Sequence, residues 1–152
     1  MKTILNGWLK EEKLKAHKTS KEEVAQLLKI IDRDLSDAIV HGLSADRRFI
    51  TAYNAALQLS TLALRVHGLR TNPNKAGHHR ISIDALPEIL GKDHQELADY
   101  LNACRIKRNT SDYTSSGEIS EKEVVEIIGE VKKFKTFIIQ WIRSTHPQFL
   151  PK

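Results

Sequence analysis

The stretch that decides the fold lies near the C-terminus, where residues 120–141 are SEKEVVEIIGEVKKFKTFIIQW. Ser120 followed by Glu123 has the pattern of a capping box, in which the hydroxyl accepts from the third helical N–H and the carboxylate reaches back. Apolar residues then recur at spacings of three and four, which places them on one helical stripe. They are Val124, Ile127, Ile128, Val131, Phe134, Phe137, Ile138 and Trp141. The stretch therefore predicts a long amphipathic helix.

Two segments upstream combine a start signal with the same period. Ser20 and Glu23 form a capping box before a stripe that predicts a helix over about residues 21–41, with Gly42 as its stop. Ser44 or Asp46 can cap a second helix, which ends at Gly68 and whose widened stripe makes it the most buried. The stripes are Val24, Leu27, Leu28, Ile31, Leu35, Ala38 and Ile39, then Phe49, Tyr53, Ala56, Leu57, Ser60, Ala63 and Leu64.

A third helix is predicted to open at Asp93, with Glu96 completing a capping box. Before it comes a loop, and then a short apolar piece interrupted by Pro87, which we interpret as one or two helical turns packed across the bundle. Strand signals are nearly absent. Residues 1–18 form an N-terminal extension that could be a short docked helix, residues 19–145 the bundle, and residues 146–152 a tail.

The predicted fold class is all-α, an antiparallel four-helix-type bundle with short extra helical pieces, because consecutive helices with short connections pack as neighbours. Because consecutive helices then run in opposite directions, the ends of the first and third helices lie at the same end of the bundle as the starts of the second and last helices. It puts seven polar residues at this common end: Ser44, Asp46, Arg47, Arg48, Arg105, Arg108 and Tyr113. The loop 69–82 is expected at the opposite end.

The composition excludes several classes of protein. The 152 residues include 24 Lys and Arg, 19 Asp and Glu and one cysteine, for a net charge of +5. No apolar run is long enough for a membrane span, and acidic residues follow the N-terminus too closely for a signal peptide. The lone Cys104 excludes an internal disulfide and argues against a cysteine-based zinc site. We expect a cytoplasmic protein without a membrane partner, and a charge that permits a polyanionic partner without requiring one.

The first candidate site is RIKRNTSDY, residues 105–113, where the third helix ends. Arg105 and Arg108 are three residues apart and share a helical face. One interpretation is that these cations only stabilise the negative end of the helix dipole. The other is that the planar fork of Arg108 binds a phosphate, with Asn109, Ser111, Asp112 and Tyr113 around it.

At this segment the chain resembles a known family. Arg-Asn-Thr-Ser-Asp-Tyr at residues 108–113 is similar to the motif of a prokaryotic branch of HEPN domains (higher eukaryote and prokaryote nucleotide-binding). The segments 52–57 and 120–125 also resemble HEPN sequences. The resemblance covers roughly residues 20–143 and implies a helical bundle that commonly forms a homodimer, with the arginine motif near the dimer cleft.

The resemblance also implies an activity. Active HEPN proteins are metal-independent ribonucleases, often toxins or defence effectors, that use an arginine followed after four to six residues by a histidine. Arg108 matches the arginine, but Tyr113 occupies the histidine position, and a tyrosine with a pKa of about 10 is a poor base at neutral pH. We therefore expect a degenerate site that has lost cleavage or works differently.

The resemblance assigns roles and partners accordingly. Arg108 and Tyr113 are the candidate catalytic residues, and Arg105, Lys107, Asn109 and Asp112 the candidate RNA- or nucleotide-binding residues. No cofactor or metal is expected. RNA or a nucleotide and an antitoxin-like protein are the expected partners. Two alternatives stay open, a non-catalytic nucleotide-binding or protein-interaction module, and a plain scaffold in which Arg108 only caps a helix.

The second candidate is the stretch 65–83, which has no acidic residue. Its cations and histidines could bind a nucleic-acid backbone, but no aromatic residues are interleaved for base stacking, which favours a solvated loop. The cations and histidines of this stretch are Arg65, Arg70, Lys75, Arg80, His67, His78 and His79. Bundle geometry puts this loop away from Arg108 within one subunit. The adjacent His78 and His79 are poorly arranged for a shared metal ion, and Tyr53 is expected to be a core residue with a hydrogen-bonded hydroxyl.

Overall fold

The computed structural model describes residues 3–113 and 119–151. The long helices are α2 (Lys21–Asp37), α3 (Ala45–Val66), α6 (Gln95–Tyr113) and α7 (Glu121–Thr145). The short elements are α1 (Thr3–Lys10), β1 (Leu14–Ala16), β2 (Leu69–Thr71), α4 (His78–Asp84), α5 (Leu86–Leu90) and 3-10 turns at Lys92–His94 and Pro147–Phe149. The chain is thus an all-helical bundle with one small ribbon, as the apolar periodicity predicts. No helix in this part of the chain is long and apolar enough to cross a membrane.

Helix α3 forms the centre of the bundle and packs against α2, α6 and α7. Its core positions include Tyr53, Leu59 and Leu62, each with no solvent exposure. The prediction that this helix is the most buried is confirmed, because its apolar stripe is wide enough to meet neighbours on several sides. A second, smaller core lies under α1, where Leu5 packs with Leu14 and Leu64.

The four long helices alternate in direction, as expected. Arg48 near the start of α3 donates from Nε to the carbonyl of Ala38, just after α2, at 2.9 Å. Its Nη1 also lies 2.7 Å from Oε1 of Glu121 at the start of α7. Lys107 near the end of α6 pairs with Glu123. The predicted common end of the bundle is therefore confirmed.

The capping predictions have mixed outcomes. The capping box of Ser120 and Glu123 is complete, and Ser44 caps α3 by accepting from the N–H of Arg47 at 3.1 Å. Ser20 caps α2, but the carboxylate of Glu23 does not return to it. That carboxylate instead binds Thr19, His17 and Arg65, because these donors surround it where α2 meets α3.

Two helix boundaries differ from the prediction. The first long helix ends at Asp37, with Ala38 as its C-cap, and not near residue 41. After Asp37 the backbone turns with i→i+3 bonds, so Ile39 leaves the apolar stripe and is 54% exposed. The third begins at Gln95, after the 3-10 turn Lys92–His94, and not directly after Asp93.

The segment 69–82 is not the loop that was expected. Residues Leu69–Thr71 form β2, which pairs antiparallel with β1 in the register Leu14↔Thr71 and Ala16↔Leu69. Asn72 then closes the ribbon, its N–H donating to the carbonyl of Lys13 at 3.1 Å. Helix α4 begins only six residues later, at His78, and packs against both α3 and α6. Strands of three residues are too short to leave an alternating pattern in the sequence.

Candidate active site

The last turns of α6 carry the predicted arginines on one face. Arg105 and Arg108 are both half-buried, whereas Ile106 and Lys107 between them are exposed. This matches the spacing of three residues, which returns a helix to the same side. The face points toward the short helix α4 and not only toward solvent, which decides what the arginines can do.

A hydrogen-bonded chain of three side chains aligns α4 with α6. Nδ2 of Asn102 on α6 donates to Oδ1 of Asp84 on α4 at 2.8 Å. The amide oxygen of Asn102 accepts from Nε of Arg105 at 3.3 Å. The asparagine therefore fixes the position of α4 beside α6 and orients the guanidinium of Arg105.

This alignment brings a histidine to the arginines. With a rise of about 1.5 Å per residue, His79 lies about 7–8 Å along α4 from Asp84. Arg105 and Arg108 lie about 4–5 and 9 Å along α6 from Asn102. The charges of both arginines act on His79, so α4 runs antiparallel to α6 and His79 lies on the side of Arg105 and Arg108.

The electrostatics of His79 agree with that placement. Partial burial lowers the pKa of His79 below its ordinary value of 6.5, and electrostatic interactions with His78, Arg108 and Arg105 lower it further. The prediction that the stretch 65–83 lies away from Arg108 within one subunit is therefore wrong for His79. The physical reason is that α4, which carries this histidine, packs against α6 as well as α3.

Tyr53 on α3 is the fourth side chain near Arg105, Arg108 and His79. Its side chain has no solvent exposure, and burial raises its pKa to about 12 although Arg105 and Arg108 act in the opposite direction. The hydroxyl has no hydrogen-bond partner among the described residues. Tyr53 is a core residue as predicted, but no described residue makes the hydrogen bond expected for its hydroxyl. A buried hydroxyl without a partner is costly, which makes it a marker for a ligand.

We call Tyr53, His79, Arg105 and Arg108 the arginine cluster. Three different elements supply it, and two of its members are arginines with their charges near one imidazole and one neutral phenol. Arg105 meets the neutral amide of Asn102, and no carboxylate of the described residues pairs with it. Around Arg105 the cluster therefore combines positive charge with neutral hydrogen-bonding groups, which is the chemistry of an oxyanion site.

The other predicted site residues lie around this cluster. Nη1 of Arg108 donates to Oδ1 of Asn109 at 3.3 Å, so the asparagine orients the guanidinium. Lys107 points away from the cluster and pairs with Glu123 on α7. Asp112 and Tyr113 end α6, but their side chains, like that of Ser111, lie outside the described residues. The candidate catalytic role of Tyr113 with Arg108 thus stays a prediction.

The basic stretch 65–83 is divided among different surroundings. Arg65 belongs to α3 and lies 2.7 Å from Glu23, and Arg80 pairs with Asp84 at 3.4 Å within α4. Acids from outside the stretch or at its end thus neutralise two of its four cations. We conclude that the stretch is neither a solvated loop nor a continuous basic surface.

A metal site finds no support in the geometry of the two adjacent histidines. The rings of His78 and His79 meet edge to face, with centroids 4.6 Å apart and planes at 78°. Within residues 3–113 and 119–151 no group of three or more His, Cys, Asp or Glu side chains could hold a metal ion. The groove between α6 and α7 is acidic, lined by Asp93, Glu96, Glu126 and Glu130, and would repel a polyanion.

Sequence reasoning missed His79 and Asn102 as members of the site. The histidine pair is visible in the sequence, but only the contact between Asp84 and Asn102 tells which helix face it meets. Comparison of the chain with models of known families, with curated proteins and with solved structures gave no match. The site is therefore interpreted from its own chemistry.

Proposed function

We propose that the protein binds RNA through its backbone phosphates at the arginine cluster, as a HEPN-like protein of the toxin or defence type. The observation that carries the proposal is the convergence of Arg105 and Arg108 with a buried tyrosine hydroxyl that has no partner among the described residues. Guanidinium groups favour phosphate because their planar forks match its oxygens. The resemblance of residues 108–113 to the HEPN motif also supports RNA as the ligand.

The binding experiment uses a fluorescently labelled single-stranded RNA and anisotropy in the presence of EDTA. Arg108→Ala should weaken binding about tenfold and lower the slope of log affinity against log salt by about one, because one phosphate contact is lost. Arg143→Ala is the matched control, since this arginine is exposed in the last turn of α7, far from the cluster. Equal affinities of wild type and Arg108→Ala would refute the phosphate site.

The same measurement separates the alternative function. A non-catalytic nucleotide-binding module would bind a labelled mononucleotide as tightly as RNA, with the same sensitivity to Arg108→Ala. An RNA-binding protein gains affinity with each phosphate contact and so prefers the longer chain. Preference for the mononucleotide would therefore replace the RNA proposal with the nucleotide one.

The toxin or defence role has its own test. Induced expression in bacteria should slow growth, and Arg108→Ala should relieve the effect at equal protein level. An antitoxin-like partner, proposed from the same resemblance, would bind the cluster and protect the cells. Growth arrest that persists with Arg108→Ala would separate the growth effect from the arginine cluster. The proposed homodimer is checked by light scattering of the purified protein.

A further inference from the structure

We infer that the groove between α6 and α7 is the docking site for a basic amphipathic helix of a partner protein. The groove uses the face of α6 that carries Tyr100 and Lys107, whereas Asn102, which holds Arg105, faces α4. The inference therefore goes beyond the proposed function and does not depend on RNA binding.

The groove exists because α6 and α7 both pack against α3 but make few close contacts with each other. Side chains join the two helices at its ends. Lys107 pairs with Glu123 at one end, and at the other end the ring centroids of His94 and Phe137 are 4.3 Å apart. Between Glu123 and Phe137 the axis of α7 rises by about 21 Å, the length of a helix of about four turns.

The floor of the groove is apolar and follows the helical period. Leu97, Tyr100 and Cys104 on α6 are three and four residues apart, and Phe134 and Phe137 on α7 lie opposite Leu97. Leu97 and Tyr100 each line two adjoining parts of the groove, which is therefore continuous. Its central part has a volume of about 400 Å³, and Phe137 is 37% exposed although it belongs to the apolar stripe of α7. Such a seam matches a helix with apolar residues at spacings of three and four.

The charge of the walls favours a basic partner. Four carboxylates line the central part, those of Asp93 and Glu96 before and on α6 and those of Glu126 and Glu130 on α7. Lys133 pairs with Glu130 at 3.5 Å, but the other three have no ion pair with a described residue. A chain with a net charge of +5 thus presents a local negative surface. Lysines along both edges of a partner helix would pair with these carboxylates while its apolar face enters the groove.

Other occupants match the groove less well. A second copy of the chain in a two-fold dimer would place the same surface against itself, and its carboxylates would face carboxylates. A polyanion is repelled for the same reason. A small polyamine would pair with the carboxylates but leave the apolar floor in contact with water. Only a basic amphipathic helix satisfies both the charge of the walls and the apolar floor.

The binding probe is a fluorescently labelled synthetic peptide of about 14 residues, matching the length of the groove. Leucines at spacings of three and four form one face of its helix, and lysines flank that face on both sides. Two comparison peptides carry glutamates in place of the lysines, or the same composition in an order that gives no apolar face. Anisotropy with the full chain should show binding of the probe that is about tenfold or more tighter than that of either comparison peptide. No binding of the probe, or equal binding of the reordered peptide, would overturn the inference.

Charge variants locate the binding in the groove. Glu126 is exposed, so Glu126→Lys should leave the fold intact and weaken binding of the probe about tenfold or more through like-charge repulsion. Glu22→Lys makes the same change on the first turn of α2, outside the groove, and should alter the affinity by less than about threefold. Equal losses in the two variants would assign the binding to net charge and overturn the inference.

Apolar variants test the floor in the same way. Phe137→Ser should weaken binding of the probe about fivefold to tenfold, because an aromatic contact of the docked helix is lost. Val125→Ser, which changes a 67% exposed residue of α7 outside the groove, should leave the affinity unchanged. Circular dichroism of each variant checks that it is folded. Wild-type affinity of folded Phe137→Ser would show that the floor is not used and would overturn the inference.

Two further measurements test the other occupants. Spermine has no apolar face and should displace the peptide only at concentrations about 100-fold above the Kd of the peptide. Displacement near that Kd would make the groove a polyamine site and overturn the inference. Light scattering that shows a dimer of wild type and a monomer of Glu126→Lys would assign the groove to a second copy of the chain and would also overturn it.

Discussion

The side-chain amide of Asn102 donates to the carboxylate of Asp84 at 2.8 Å and accepts from the guanidinium of Arg105 at 3.3 Å. One residue thus holds two helices together and orients a charged group of the candidate site. Asp84 also pairs with Arg80, so its charge is shared between α4 and α6. The arrangement makes the position of His79 dependent on a contact that lies well outside the HEPN-like motif.

The first prediction concerns this contact. Asn102→Ala removes both hydrogen bonds and should lower the free energy of unfolding by about 1 kcal/mol, because Asp84 is partly exposed and regains water. RNA affinity should fall several-fold, since Arg105 loses its orienting partner. Urea unfolding and RNA anisotropy measure the two effects.

Gln95→Ala is the matched control for that substitution. It removes a hydrogen bond of 3.0 Å to Asp99 on the exposed start of the same helix, far from the arginines. We expect a loss of stability below about 0.5 kcal/mol and unchanged RNA affinity. A similar loss of RNA affinity in both variants would mean that α6 responds as a whole and that Asn102 has no specific role.

The second prediction concerns Glu23, where α2 meets α3. Burial alone would raise its pKa, but hydrogen bonds from Thr19 and His17 and the charge of Arg65 outweigh it, so the pKa is lowered below 4.5. A lowered pKa in the folded state means that the stabilisation is complete above about pH 4.5 and is lost as the pH falls through the folded value. Glu23→Gln should therefore cost about 1–2 kcal/mol near neutral pH, and the difference from wild type should shrink near pH 3.

Glu22→Gln provides the comparison for Glu23, because it changes the same charge at an exposed neighbouring position in the first turn of α2. Urea unfolding of the three proteins at both pH values gives the differences. A cost of Glu23→Gln that is independent of pH would show that packing, and not the charge, accounts for it.

The long helices could be predicted from the sequence because the patterns that indicate them are local. The stripe and capping box of Ser120 and Glu123 predict α7, and most of the stripe is buried, although Phe137 is exposed and Ile142 is buried in addition. The end of α2 could not be predicted in the same way. There, Ile39 continues the period, but the carbonyl of Ala38 accepts from Arg48 in the next helix, a contact between two helices that the apolar period does not indicate. Tertiary contacts decide such boundaries.

The candidate site is predictable only in part, for the same reason. The spacing of Arg105 and Arg108 gives their common face, whereas the identity of the group opposite them depends on how α4 packs against α6. The ribbon that precedes α4 is closed by Asn72, whose side chain donates to the carbonyl of Glu12 at 2.9 Å. A contact across sixty positions has no local signature, so His79 could not be assigned to Arg108 from the sequence.

The third prediction concerns Arg48, which joins three helix ends. Its side chain is only 18% exposed, so Arg48→Met should lower the free energy of unfolding by about 1–2 kcal/mol through loss of the bond to the Ala38 carbonyl. Glu121 is 68% exposed, and its pair with Arg48 should contribute less than about 1 kcal/mol. A double-mutant cycle with Glu121→Gln measures that coupling, and a value above this limit would contradict the interpretation that the carbonyl bond dominates.

The last prediction sets stability against function at Tyr53. Its hydroxyl is buried and has no partner among the described residues, so folding leaves a polar group unsatisfied. Tyr53→Phe removes that group without changing the ring and should leave the free energy of unfolding unchanged or raise it by up to about 1 kcal/mol. RNA affinity should nevertheless fall about fivefold to tenfold, because the bound phosphate loses a hydrogen bond.

Ser60→Ala, which breaks a 3.1 Å bond to the Ala56 carbonyl in the same helix, should show the reverse, with lower stability and unchanged affinity. Lower stability of Tyr53→Phe with wild-type affinity for RNA would show that the hydroxyl serves the core, and would remove Tyr53 from the site.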